Sequence, residues 1–182
     1  MNLGRLIRKH LEARFGKPSR EASFVPPVGP TIEVLKWEKD ASGEGVSIYA
    51  TIGACEALVA DERRCEFFVG LTPDVDDIAP ALAEVALDGS GTGRVPNFGD
   101  TVTLAGPLWS QTQARTFLFA SRGDQVIPNL QTAHGLIEFI QLVPLFANEL
   151  KLKQKLGETG LWEHFKQTRV PYWDSRRVPG KL

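Results

Sequence analysis

The sequence predicts an α+β fold, a central and mostly antiparallel β-sheet flanked by helices in a single domain. Three observations lead there. Apolar residues recur at helical spacing at the start of the chain, at a spacing of two from Thr31, and at helical spacing again near the end. The intervals between the first strand-like runs are too short for the crossovers that parallel neighbours need. The order helix, strands, helix, strands, helices also lacks the regular alternation of a doubly wound sheet.

Leu3, Leu6, Ile7, Leu11 and Phe15 form one helical stripe, which Gly16 and Pro18 end. The stretch Ser19–Pro30, with three prolines and two serines, reads as a linker or strap. Residues 1–30 are therefore expected to be an N-terminal amphipathic helix with its linker, and 31–182 the domain proper. The helix is basic, and either packs its apolar stripe on the domain or serves as a partner-binding element. Strands are expected over Thr31–Glu38, Val46–Ile52 and Arg64–Leu71, the first two joined by the turn Asp40–Gly45. Thr72-Pro-Asp-Val-Asp-Asp77 opens a helix that carries Ile78, Leu82, Val85 and Ala86 and places Pro80 in its first turn. A second strand pair follows at Thr101–Gly106 and Arg115–Ser121, then an apolar strand at Leu136–Val143. Two helices, Phe146–Leu156 and Glu158–Thr168, are divided by Gly157, and the last residues read as irregular.

A chain of 182 residues buries a core without a disulfide or metal staple. A net charge of −1 argues against a dedicated nucleic-acid binder, whose affinity comes largely from neutralising phosphates. No apolar run approaches the length of a membrane span or a secretory signal. Two cysteines make no disulfide framework, so a reducing cytoplasm is the expected location. Charge is unevenly spread: basic in the first twenty residues, acidic from Glu56 to Asp88, and basic again from Lys151 onward. Either these are solvated faces that compensate one another, or the acidic segment, with Asp74, Asp76 and Asp77, steers a basic partner.

Few residues suggest chemistry. Gly89-Ser-Gly-Thr-Gly93 resembles a phosphate cradle but leads into Arg94-Val-Pro96, with no helix to supply N–H groups, and reads as a surface loop. His10, His134 and His164 lack the close spacing of zinc ligands to each other or to Cys55 and Cys65, so no metal or other cofactor is expected. Cys55 as a nucleophile, or Glu66 and Glu149 as paired carboxylates, define the enzyme alternative. Against it, both cysteines lie on or beside apolar strands, where an inert thiol is usual. An arginine such as Arg176 or Arg177 is expected to neutralise Glu66.

Four blocks in order resemble the suppressor-of-fused domain family, over about Ile32 to Pro179. They are Val46-Ser-Ile-Tyr-Ala-Thr-Ile-Gly53, followed by Cys55 where the family often has serine; Arg64-Cys-Glu-Phe-Phe-Val-Gly-Leu71; Asn97-Phe-Gly-Asp-Thr-Val-Thr103 leading to Gly106-Pro-Leu108; and Ile137 to Leu150, continued by Gly160-Leu161-Trp162 and Asp174-Ser-Arg-Arg177. The resemblance marks Trp37, Gly53, Glu66, Leu145, Glu149, Asp174 and Arg176 as signature positions with an architectural role. It implies an α+β domain without catalytic residues that binds another protein. The animal member sequesters a transcription factor by gripping an extended peptide between two domains. Short bacterial relatives include proposed immunity proteins that neutralise toxins, and the compact form here is similar to that branch.

Overall fold

The computed structural model describes residues 2–58, 63–89, 93–121 and 123–180. Asp61 and Glu62 of the acidic segment, residues 90–92 of the glycine-rich loop and the last two residues lie outside that set.

Eight strands form one sheet in the order β1-β2-β3-β4-β8-β6-β5, with β7 also paired to β8. The strands are β1 Arg20–Phe24, β2 Ile32–Trp37, β3 Ser47–Ile52, β4 Arg64–Leu71, β5 Thr101–Thr103, β6 Thr116–Ala120, β7 Leu130–Thr132 and β8 Gly135–Leu145. All neighbours run antiparallel except the central pair β4 and β8, which is parallel, with Glu66 beside Phe139. The long connection from β4 to β8, through α4 (Ala79–Asp88), β5, β6 and β7, is what makes a parallel pair possible there.

The other helices are α1 Leu3–Phe15, a single turn α2 Lys39–Ser42, a single turn α3 Ala54–Ala57, and α5 Ala147–Thr168. Alternation in the strands divides the core between the two faces of the sheet. Val34, Tyr49, Phe67, Val69, Phe117, Phe119 and Leu142 pack under Leu82, Val85 and Ala86 of α4. On the other face, Leu35, Trp37, Ile48, Ala50 and Phe68 meet Ile7, Leu11 and Phe15 of α1. Further along that face, Leu118, Ala120, Val143 and Leu145 meet Leu161 and Phe165 of α5. The basic N-terminal helix thus packs its apolar stripe on the sheet.

The stretch expected as a linker is corrected here. Residues 20–24 form the edge strand β1, paired along its length with β2 from Arg20↔Lys36 to Phe24↔Ile32. Glu21, Ala22, Ser23 and Phe24 alternate as a half-buried strand should, and Ala22 and Phe24 pack on the core. The prolines that suggested a strap all lie outside the paired residues. Pro80 stands in the first turn of α4, where its missing N–H costs nothing. At Gly157 the backbone turns to φ 74°, which kinks α5 into the two expected segments.

Candidate functional site

Glu66 sits on β4 with no exposed surface. Its carboxylate accepts the hydroxyl of Thr51 (2.6 Å) and the backbone N–H groups of Gly53 (2.9 Å), Ala54 (3.2 Å) and Cys55 (3.2 Å). Gly53 makes the turn possible: its φ is 118°, and a Cβ there would lie 2.5 Å from the Thr31 carbonyl oxygen. Burial pushes the Glu66 carboxyl up to about 7, against the opposing pull of the Thr51, Gly53 and Cys55 bonds. The expected arginine partner for Glu66 is a second correction. Its described hydrogen-bond partners are all neutral donors, while Arg176 and Arg177 lie elsewhere.

Arg177 instead clamps Glu149. Its guanidinium donates to Oε1 (2.5 Å) and Oε2 (3.1 Å) of Glu149 and to the Pro144 carbonyl (2.5 Å), and lies 4.4 Å over the Phe146 ring. Both side chains are less than a tenth exposed. Glu149 also accepts the N–H of Phe146, the residue preceding α5, so one carboxylate caps the helix and holds the C-terminal segment. Arg176 is exposed and pairs with Asp174, whose carboxylate the Arg176 N–H holds below its ordinary range. Trp37 donates its indole N–H to the carbonyl of Gly16, pinning the end of α1, and Leu145 is fully buried against α5.

Asp74, Asp76 and Asp77 of the acidic segment each have partners within the fold. Lys36, whose side chain is 5% exposed, donates to Asp74 (2.6 Å) and pairs with Asp76 (2.8 Å) and Glu38 (3.0 Å). Burial lowers the affinity of that ammonium for its proton, and the bonds to Asp74, Asp76 and Glu38 outweigh it, so the net direction is upward. Arg20 also reaches Asp76 (2.5 Å), and Asp77 accepts the N–H of Ser110 (2.6 Å). Lys36 lay in plain view within the alternation of β2, but its spacing gave no hint of three carboxylates gathered from Glu38 and a loop beyond β4.

Cys55 and Cys65 are free and fully buried, and burial drives both thiols well above their ordinary range. Protonated, shielded thiols are poor nucleophiles. Among the described residues Glu66 and Glu149 share no hydrogen-bond partner, each held by its own set. The geometry gives the enzyme alternative no support. Among the described residues, no group of His, Cys, Asp or Glu could hold a metal ion, and no helix is long and apolar enough to cross a membrane.

An open groove of about 1010 Å³ lies between the second half of α5, Ser121 just beyond β6, Gln141 of β8 and the segment 169–173. Trp162, Phe165, Tyr172 and Trp173 line it, with Lys166 and Arg169 beside them. The rings brace one another: Trp162 meets Tyr172 edge-on at 5.2 Å, and Tyr172 meets Trp173 at 4.9 Å. Trp162 is steadied further by donating its indole N–H to Glu158. Trp173 remains 42% exposed. The segment is held against the end of β4, where Thr72 donates to the Trp173 carbonyl (2.9 Å) and Ser175 to the Thr72 carbonyl (3.2 Å). The sequence does not mark this site by periodicity, since the tail from Tyr172 onward carries no helical or strand pattern. The available signal was that two of the chain's four tryptophans and one of its two tyrosines fall within 162–173.

Solved structures share this architecture. A SUFU (suppressor of fused protein) homolog from Neisseria gonorrhoeae FA 1090 superposes with a TM-score of 0.72 at 18% identity, covering 98% of each chain. A chain of the Sufu–Fu complex gives 0.69 at 16% identity, over 96% of this chain and 90% of that one. Drosophila Suppressor of Fused also gives 0.69 at 16%, over 96% of this chain but 50% of its own length. No curated protein matches the chain. The family model described as "Suppressor of fused protein (SUFU)" matches residues 29–178, most of the sequence. On that match the chain belongs to the suppressor-of-fused family.

Proposed function

We propose that the chain is a non-enzymatic protein-binding domain that grips its partner through the aromatic groove beside α5. The observation that carries this reading is the braced set Trp162, Tyr172 and Trp173 left open at the surface next to Arg169. Trp, Tyr and Arg dominate the energetics of protein interfaces, and rings already fixed by their neighbours lose little freedom on binding. The family offers support at a coarser level, since a relative of the same fold has been crystallised in a complex. The acidic loop is the weaker candidate, because Lys36 and Arg20 already answer Asp74 and Asp76. A second reading, strand addition, is favoured by β1, which ends the sheet and pairs on one side only.

Neutralising a toxin by occluding it is the form of this function that we favour for a short domain, with a cytoplasmic location that suits two free thiols. The test is calorimetric titration of the purified product of a neighbouring gene. Binding is expected at sub-micromolar affinity, weakened at least about tenfold by Trp173→Ala, the loss of one hot-spot side chain. Co-expression then separates the finer claim: growth rescued by the wild type and not by Trp173→Ala supports toxin neutralisation. Undiminished binding by Trp173→Ala would remove the groove from the proposal.

A further inference from the structure

Glu66 is surrounded by hydrogen-bonding groups that suit two protonation states. Ionised, it accepts the N–H groups of Gly53, Ala54 and Cys55, the Thr51 hydroxyl and the Cys55 thiol. Thr51 is the adjustable member. Its Oγ1 lies 2.6 Å from Glu66 Oε2 and 3.4 Å from the Phe67 carbonyl oxygen, and it accepts the Phe67 N–H at 2.9 Å. With a proton on Oε2, Glu66 donates to Thr51 Oγ1, and the Thr51 hydroxyl hydrogen turns to the Phe67 carbonyl. Oε1 goes on accepting from Gly53 and Cys55. The Ala54 N–H, which donates to Oε2 at 3.2 Å, then has the hydroxyl oxygen of the carboxyl as its acceptor. This one bond weakens while the others stay made, so the usual penalty for changing the charge of an interior carboxyl is reduced.

We propose that Glu66, Thr51 and the Gly53–Cys55 turn form a proton-responsive joint, in which the carboxyl takes up and releases one solvent proton within the folded protein while the Thr51 hydroxyl changes partner to follow. No heavy-atom bond changes, and the proton is returned to solvent on the reverse step. The charges around it are otherwise occupied. From α3, Cys55 is a protonated thiol, and Glu56 and Arg64 act mainly on it, Arg64 by donating to its carbonyl (2.8 Å). Beside Glu66 on β4, Cys65 is likewise protonated, and Glu138 of β8 is paired with Arg63. From α1, Arg8 reaches Glu21 and Glu33, His10 the Pro128 carbonyl, and Arg14 Val126 and Glu44, while Arg5 and Lys9 are exposed. Burial without a paired cation moves the carboxyl into the neutral range, where a modest pH change alters its charge. The ionised form holds the first turn of α3 by charge-assisted bonds, and the neutral form holds it more weakly.

The test is carbon and amide NMR on the full chain with labelled glutamate side chains. The Glu66 carboxyl resonance is expected to titrate with a midpoint of about 7, with the amides of Gly53, Ala54 and Cys55 following the same curve. Glu66→Gln is expected to leave those amides flat across the range. Thr51→Val is expected to raise the midpoint, because the ionised form loses a donor. A Glu66 midpoint below about 5, where ordinary glutamates titrate, would overturn the proposal. So would turn amides that ignore the Glu66 curve, or a midpoint that Thr51→Val leaves in place. If Thr51→Val does not fold, coincidence of the wild-type curves decides alone.

Discussion

Glu66 and Glu149 are the two buried glutamates of the described structure, yet the fold holds them in opposite ways. Glu149 faces the Arg177 guanidinium in a two-toothed pair, with the arginine also tied to Pro144 and laid over Phe146. Glu66 meets the N–H groups of one turn, a hydroxyl and a thiol. Burial alone therefore does not decide what a carboxylate does. A cation fixes its charge, whereas neutral donors leave the charge to the pH of the solvent. The first arrangement is a clasp between α5 and the C-terminal segment. The second ties β3, α3 and β4 together.

The difference is most open to attack at the clasp. Arg177→Ala leaves the Glu149 charge buried without its partner and should cost about 4 kcal/mol in urea denaturation. The double variant Arg177→Met with Glu149→Leu should recover much of that, since an apolar pair of similar volume avoids the desolvation of both charges. A double variant no better than the single would mean that the segment needs the ion pair's geometry and not just its neutrality.

At Glu66 the expected signature is a pH dependence. The folded carboxyl is raised from 4.5 to about 7. Its contribution to stability is thus fully present below pH 4.5 and is lost as the pH rises through 7, a change of about 3 kcal/mol by linkage. Glu66→Gln should flatten that part of the profile of Tm against pH. A wild-type profile that instead gains stability across this interval would reverse the comparison.

The groove should respond least in stability and most in binding. Trp173 is partly exposed and rests on Tyr172, so Trp173→Ala should cost no more than about 1 kcal/mol in the same denaturation experiment. Ile7→Ala on the buried stripe of α1 offers the contrast, at about 3 kcal/mol. A Trp173→Ala loss as large as that of Ile7→Ala would make the tryptophan a core residue and not a binding one.

Local patterns were legible where one segment carried its own signal. The strand-like runs Thr31–Glu38, Val46–Ile52 and Arg64–Leu71 predicted β2, β3 and β4, the short intervals between them predicted antiparallel pairing, and Gly157 predicted the break in α5. Strand β1 was hidden because nearby prolines outweighed five residues of alternation. The short strand β7 and the parallel pairing of β4 with β8 were hidden because pairing is a property of two distant segments. The candidate site shows the same divide. Glu66 and Glu149 stood out as charges in apolar surroundings, but their partners did not: Arg177 is 28 residues from Glu149, and the donors to Glu66 are mostly backbone N–H groups that no residue code reveals. The aromatic groove brings together α5 and a tail that Thr72 and Pro73 fasten to the end of β4 through Ser175, a contact spanning about a hundred residues.

Hydrogen exchange on the intact chain, with and without its purified partner, tests the central claim most directly. If the aromatic groove is the gripping surface, amides in 158–173 slow markedly on binding while those of 74–77 and β1 keep their free rates. Protection confined to 74–77 or to Arg20–Phe24, with the groove unchanged, would contradict it.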